Sequence, residues 1–304
     1  MLVFGRLFAT LRSMKADRRI SIRACPAQRG QSLTLLIAGL LSFLPHGGRA
    51  AETLPAAGEV TRRLIERAQA VARAEPGPQY TYKKRTVSER LDAVGVVLTS
   101  EEKIYLVTLI GDVPYNRLVK IQGRALSAEE LRREEAREGR FRQKFVSANE
   151  KKSAARKEGW VTPELLDRYQ FEVKERVILS NRPTLVVTFK PKKGNIPSKT
   201  FEDKLLNGMA GRLWIDEADA DPAKLVVSLR EPLSLGWFGL LGSLSRCDLS
   251  LERQRMPEGV WINAKQEMVI HWQKLTGTTR FRVTEATSGF RKVEANRQGV
   301  SAQP

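Results

Sequence analysis

Hydrophobic and polar residues alternate with a period of two over most of the chain after residue 79. The segments Lys103 to Ile110 and Val113 to Gln122 are rich in β-branched and aromatic residues, and Gly111-Asp112 between them is a strong hairpin-turn signal. Similar segments recur as far as Arg291, without regular alternation of strands and helices. This pattern predicts an α+β fold with a few helices and one strongly curved antiparallel sheet of about eleven strands, since a twisted sheet of that many strands tends to curl or close.

Helical spacing of apolar residues is found in fewer places. Apolar residues from Glu59 to Ala74 fall on one helical face. Ser127 and Glu130 form a capping box, and a highly charged segment follows to about Lys157, interrupted at Gly139. Its few apolar residues predict a largely solvated helix that lies on the sheet by a narrow stripe or is partly detached from it. The sequence also predicts short helices at Thr162-Pro163 and at Thr200.

The front of the chain has the layout of a secretory signal. A basic leader precedes the uncharged, mostly apolar run Ser32 to Leu44, and the small-residue site Gly48-Arg49-Ala50 follows. The run is shorter than the roughly 20 residues that a spanning helix needs. We therefore expect a signal peptide over residues 1–50, cleavage after Ala50 and a periplasmic protein. Two points stay open, namely whether Met14 is the true start and whether Arg18-Arg19 directs twin-arginine export.

The remaining chain is predicted to form one domain over residues 51–294, with a charged helical insertion at 127–157 and a polar, disordered tail at 295–304. The full sequence has 52 Lys and Arg against 34 Asp and Glu, a formal net charge of +18. For an exported protein, this balance indicates an anionic membrane surface or envelope polymer as partner more than nucleic acid. A basic surface that is simply solvated explains the charge equally well.

Residues that could perform catalysis are sparse. Export removes His46, so His271 alone remains, and no metalloprotease, redox, nucleophile-elbow or phosphate-loop motif is present. Cys247 lies in an alternating strand pattern and is predicted to be buried. The acidic turn Asp216 to Asp221 lacks the glycine and glutamate of a calcium loop and is predicted to be a solvated connection. We expect no enzyme activity, no metal and no cofactor.

The segment Leu233 to Leu244 is apolar, uncharged and rich in glycine. Such a run is either a buried strand or a lip over an apolar ligand. If it forms a lip, the side chains near the cavity are those of the large apolar residues Trp237, Phe238, Leu240 and Leu241, together with Trp214.

From Gln79 to Arg291 the chain resembles the periplasmic outer-membrane lipoprotein-sorting proteins, the LolA-like superfamily. The resemblance rests on a helix followed by strands, on the strand Pro114 to Val119, and on the strand Gly211 to Asp216 with its acidic turn. It implies a half-open antiparallel barrel, covered by helices, that holds the acyl chains of a lipoprotein or another lipid. The long charged helix departs from the family pattern.

Three functional hypotheses follow. In the first, the protein is a periplasmic carrier of lipid or lipoprotein acyl chains for outer-membrane sorting, with envelope membrane proteins as further partners. In the second, it is a non-catalytic envelope sensor or interaction protein on the same fold. In the third, it is an envelope hydrolase, which requires two inward-facing carboxylates roughly 5–9.5 Å apart. An empty apolar cavity favours the first hypothesis, and a packed core favours the second.

Overall fold

The computed structural model describes residues 53–73, 79–110, 113–155, 162–193, 198, 200–234, 242–274 and 277–293, without the side chains of 72–73 and 144–155. The elements in chain order are α1 (Ala57–Arg73), β1 (Tyr80–Leu91), β2 (Val97–Ile110), β3 (Val113–Ile121), β4 (Arg124–Ala125), α2 (Ala128–Ala155), α3 (Pro163–Asp167), β5 (Tyr169–Leu179), β6 (Arg182–Pro191), α4 (Phe201–Gly208), β7 (Met209–Asp216), β8 (Pro222–Leu229), β9 (Leu233–Ser234), β10 (Ser243–Arg255), β11 (Trp261–Lys274) and β12 (Gly277–Lys292).

All twelve strands belong to one antiparallel sheet. The strand order is β4-β3-β2-β1-β12-β11-β10-β8-β7-β6-β5, and β9 pairs with β10 outside this path. Chain neighbours are mostly sheet neighbours, but β1 pairs with β12, so the first and last strands meet in the middle. Because β4 and β5 stay at opposite edges, the sheet is an open, curved half-barrel, which confirms the predicted fold class.

One face of the sheet carries the hydrophobic core, and we call it the inner face. Alternate residues of neighbouring strands meet there, for example Leu185 of β6, Leu213 of β7 and Leu249 of β10, all buried. Two helices add to the same cluster, α1 through its apolar stripe with Leu64 and α4 through Leu205. Both leucines are almost fully buried, so this half of the inner face is packed with the protein's own side chains.

The charged helix α2 runs without a break from Ala128 to Ala155, so the predicted interruption at Gly139 is wrong. The Cβ position of Gly139 faces open space, and glycine lowers helix stability without breaking a helix. A buried polar contact anchors the helix to β3: the Glu134 carboxylate accepts from the Tyr115 hydroxyl at 2.9 Å and from the Leu118 amide at 3.2 Å. The Phe141 ring packs 5.0 Å from the Tyr115 ring.

Local turn and cap chemistry follows the sequence closely. The Thr200 hydroxyl accepts from the Asp203 amide at 3.0 Å, and the Asp203 carboxylate accepts from the Thr200 amide at 3.1 Å, which completes the predicted capping box. The connection between β5 and β6 is a two-residue hairpin turn. Ser180 and Asn181 form it with φ of +50° and +59°, the conformation that such a turn requires.

Several predictions fall outside the described residues, namely the signal peptide over 1–50, the Gly111-Asp112 turn and the tail at 295–304. Within the described part of the chain, no helix combines the length and apolar character needed to cross a bilayer.

Candidate functional site

A groove of about 600 Å³ opens on the inner face, where β1, β2, β3, β11 and β12 lie side by side. The strand register creates it. Tyr82 of β1 pairs with Val107 of β2, and Val107 pairs with Asn116 of β3. On the other side of β1, Glu285 of β12 pairs with Gln266 of β11. The residues that line the groove are Gln79, Tyr80, Tyr82, Lys84, Val107, Leu109, Val113, Pro114, Asn116, Val260, Trp261, Ile262, Asn263, Ala264, Lys265, Gln266, Glu285 and Thr287.

The β2–β3 side of the groove is an apolar wall formed by Val107, Leu109 and Pro114. Val107 is 1% exposed, while Leu109 is half-buried and Pro114 is exposed. Tyr82 stands beside this wall, with its ring centre 5.3 Å from that of Phe290. A surface of this kind can bury hydrocarbon without further rearrangement of the sheet.

The floor of the groove is polar. Lys84 is 8% exposed, and its ammonium lies 3.4 Å from the Glu285 carboxylate and 5.0 Å from the centre of the Tyr105 ring. The Thr86 hydroxyl donates to the same carboxylate at 3.4 Å. Burial is the main cause that raises the pKa of Tyr105. The floor therefore holds Lys84 and Glu285 as a compensated pair of charges, and the exposed Lys265 of β11 also belongs to the groove lining.

Gln266 is the distinctive polar group of this floor. It lies on β11 beside Glu285 and is 8% exposed. Within the described residues its side-chain amide makes no hydrogen bond to protein, and the amide of Asn116 across the groove makes none either. No fully buried side-chain nitrogen or oxygen among the described residues lacks a hydrogen-bond partner, so the Gln266 amide reaches solvent in the groove although the residue as a whole is largely buried. Both amides are free to donate to and accept from a bound molecule.

The rim of the groove is closed on one side by a polar clasp. The Tyr80 hydroxyl donates to the Glu258 carboxylate, and the Lys292 ammonium lies 3.1 Å from the same carboxylate. The hydrogen bond to Glu258 raises the pKa of Tyr80 to about 12. The clasp ties the start of β1 and the end of β12 to the β10–β11 turn.

Glu285 is the one carboxylate among the described residues that line the groove. The pair of carboxylates that the hydrolase hypothesis requires is therefore not found within this lining. His271 lies on the outer face, opposite the core, and burial with the nearby Arg246 and Arg280 lowers its pKa. Cys247 is buried in the core, and burial raises the pKa of its thiol to about 12.

The acidic turn is not solvated as the sequence predicted. Asp216 is 1% exposed and accepts from the Arg182 guanidinium and from the amides of the turn itself. Asp221 is also buried and pairs at 2.8 Å with Arg67 of α1 and with Arg253 of β10. Arginines distant in sequence neutralise the turn, which fastens α1 to the sheet. No cluster that could hold a metal ion occurs among the described residues.

The predicted ligand-contacting residues have different outcomes. Trp214 lies on β7 between Leu213 and Ile215, which face the core, so its side chain is on the outer face. There the Lys224 ammonium lies 5.4 Å from its ring centre. Because the groove is on the inner face, Trp214 does not line it. Trp237, Phe238, Leu240 and Leu241 fall outside the described residues, and their place at a lip stays a prediction.

Sequence reasoning missed the residues that do line the groove. Tyr82, Val107 and Gln266 each occupy an ordinary alternating strand position, and nothing in their local sequence marks them. The available signal was the polar run Lys83 to Arg85 in β1, because a strand interior so rich in charge needs a partner on its buried face. Only the pairing of β1 with β12 shows that this partner is Glu285.

No family model matches the chain, and no curated protein matches it. The search of solved structures does return neighbours. A domain named for outer membrane lipoprotein sorting, from Vibrio parahaemolyticus, is 11% identical, with 80% of this chain and 96% of that chain covered and a TM-score of 0.32. A LolA superfamily protein from Nitrosomonas europaea is 8% identical, with 77% and 94% covered and a TM-score of 0.26.

The MucA/MucB complex from Pseudomonas aeruginosa provides a third neighbour, 12% identical over 78% of this chain and 100% of that chain, with a TM-score of 0.22. Identity is at most 12% and the TM-score at most 0.32 for these three neighbours, so no function is transferred from them to this chain.

Proposed function

We propose that this chain is a periplasmic carrier that holds lipid or lipoprotein acyl chains in the inner-face groove, for sorting to the outer membrane. The observation that carries the proposal is the combination of an apolar wall and two side-chain amides without a protein partner in one open groove. This combination suits a ligand with a hydrocarbon part and an uncharged polar part.

The apolar wall supplies the binding free energy in this proposal. Burial of hydrocarbon is worth about 0.8 kcal/mol per CH₂, so ten methylenes on the wall give about 8 kcal/mol before the cost of ordering the chain. The groove volume of about 600 Å³ lies within the roughly 300–1,000 Å³ common for small-molecule sites. Leu109 and Pro114 would contact the chain first, since they are more exposed than Val107.

The polar floor supplies orientation. Acyl chains are joined to a lipid or to a lipoprotein N-terminus by ester and amide groups, which accept hydrogen bonds and carry no charge. The amides of Gln266 and Asn116 can donate to such carbonyls, and the paired Lys84 and Glu285 do not oppose a neutral group. The linkage would lie on the floor and the chains along the wall.

The proposal is tested with a fluorescent fatty-acyl probe and two matched substitutions on β2. Leu109→Glu places a charge on the wall, and Leu106→Glu places the same charge on the outer face of the same strand. We expect Leu109→Glu to weaken probe binding by about tenfold or more, because the carboxylate must be desolvated or the chain displaced. Leu106→Glu should bind like the unaltered protein. Equal affinities for all three proteins would overturn the proposal.

The second candidate, a non-catalytic interaction protein, is favoured by the packed half of the inner face. Leu64, Leu205 and Met268 fill the space beneath α1 and α4, so cargo there would have to displace the core. A protein of this kind would show no saturable probe binding in the assay above. It would instead form specific crosslinks to an envelope protein from the exposed face of α2.

A further inference from the structure

The turn between β1 and β2 carries a cluster of exposed aliphatic side chains. Val94 is 83% exposed, Val96 59%, Val97 40% and Leu98 54%, and we call these four residues the apolar tip. Single exposed apolar residues are common on protein surfaces, but here four lie within five positions: Val94 and Val96 in the turn, and Val97 and Leu98 at the start of β2, where successive side chains point to opposite faces of the sheet.

The turn is built so that these side chains stay in solvent. The Asp92 carboxylate accepts from the amides of Val94 at 2.9 Å and Val96 at 2.8 Å, and the Asp92 amide donates to the Val96 carbonyl at 2.9 Å. Gly95 adopts a φ of +91°, which other residues rarely tolerate. These contacts fix the turn, and they use the one carboxylate that the turn contains.

The residues around the apolar tip are basic. Arg90 and Lys274 are exposed, and Arg280 of β12 pairs with Leu91 at the end of β1. Within the part of the chain that the structure describes, none of these three cations has a carboxylate at ion-pair distance. The nearby acid Glu89 is already paired with Arg282 at 2.6 Å. This end of the sheet therefore combines an apolar protrusion with uncompensated positive charge.

From this combination we infer that the apolar tip docks on an anionic bilayer, with its aliphatic side chains in the acyl boundary and the cations against the lipid phosphates. Apolar insertion and attraction of basic groups to anionic lipid act together in such anchors. A protein partner fits less well, because binding hot spots are rich in Trp, Tyr and Arg and the four tip residues are aliphatic. This inference goes beyond the proposed function and holds whichever cargo the groove takes.

The apolar tip and the groove are separate. Lys84 and Leu91 are seven positions apart on β1, which at about 3.3 Å per residue is roughly 23 Å along the strand. Substitutions at the tip should therefore leave acyl-probe binding in the groove unchanged. Loss of docking and loss of cargo binding can be told apart in the same preparations.

The test is co-sedimentation with lipid vesicles, using protein expressed from all 304 residues of the sequence. Intact mass spectrometry first establishes that the unaltered protein and the variants have the same N-terminus. Vesicles contain phosphatidylcholine alone or with phosphatidylglycerol. We expect Val94→Asp/Val96→Asp to weaken binding to the anionic vesicles by about tenfold or more, because carboxylates replace two exposed valines that docking would bury in the bilayer. The control Ile178→Asp replaces an aliphatic residue, 69% exposed on β5, and should bind like the unaltered protein.

The charge component is tested separately. Arg90→Gln should weaken binding to anionic vesicles by about fivefold, the effect of one basic contact near the surface, and 0.5 M salt should weaken it further. Arg140→Gln on exposed α2 should have no effect. The inference is overturned if the tip variant binds as tightly as the unaltered protein, if Ile178→Asp loses as much, or if uncharged vesicles bind equally well.

Discussion

Removal of the Asp216 carboxylate should destabilise the protein more than removal of any other acidic side chain in the turn. Asp216 is 1% exposed at the end of β7. It accepts from the Arg182 Nη2 at 2.7 Å, from the Ala218 amide at 3.1 Å and from the Asp219 amide at 2.8 Å. Asp216→Ala leaves all three donors without this acceptor, while Asp216→Asn keeps an oxygen for the amides and loses the charge.

The magnitude follows from what each variant leaves unpaired. Removing one partner of a buried ion pair costs about 3–5 kcal/mol, and a buried donor left without a partner costs about 1–3 kcal/mol. Because the Arg182 side chain is 29% exposed, water can partly replace the carboxylate. We therefore expect the free energy of unfolding to fall by about 3 kcal/mol in Asp216→Ala and by about 1–2 kcal/mol in Asp216→Asn.

The assay is urea unfolding followed by circular dichroism. Asp167→Asn is the matched control, since its carboxylate lies 2.6 Å from Lys192 but its side chain is 82% exposed. Such surface pairs contribute about 0–1 kcal/mol. If the free energies of unfolding of Asp216→Ala and the control differed by less than about 1 kcal/mol, the structural role of the turn would be refuted. A rise in stability on adding Ca²⁺ would refute it as well, because the arginines already neutralise these carboxylates.

Three further predictions concern other buried groups. Glu134→Ala should lower the free energy of unfolding in urea by about 2–4 kcal/mol, because the Tyr115 hydroxyl and the Leu118 amide lose their acceptor beneath α2. A decrease below about 0.5 kcal/mol would show that α2 is not anchored there. The pKa of His271 is lowered in the folded state, so the unfolded chain takes up the proton first and stability falls as pH drops below about 6.5. In His271→Gln, the free energy of unfolding should decrease less between pH 7.5 and pH 5 than in the unaltered protein. The same decrease in both proteins would show that His271 does not cause the pH dependence. Cys247, with a thiol pKa raised to about 12, should react with a thiol reagent only at the rate of unfolding, and rapid labelling of the native protein would contradict its burial.

The sheet could be predicted from sequence because its information is local. Period-two alternation identifies a strand wherever one face is buried, and the capping boxes at Ser127 and Thr200 identify helix starts by side-chain chemistry alone. The prediction failed at Gly139, where the helix continues because a single glycine costs only about 1 kcal/mol.

The groove and the acidic turn could not be predicted, because both depend on contacts between distant parts of the chain. Lys84 meets Glu285 across 201 residues of sequence, and Arg67 meets Asp221 across 154. Periodicity says that a residue faces the core but not which strand lies beside it. For the same reason Trp214, a large aromatic in an apolar strand, was predicted near a cavity although its position in the alternation puts it on the outer face.

The most direct test of the carrier proposal is native mass spectrometry of the protein purified from the periplasm, followed by organic extraction. We expect additional mass that resolves into acylated species, and loss of that mass in Leu109→Glu but not in Leu106→Glu. A single apo mass for all three proteins, with no uptake of added lipid, would contradict the proposal that the inner-face groove carries acyl chains.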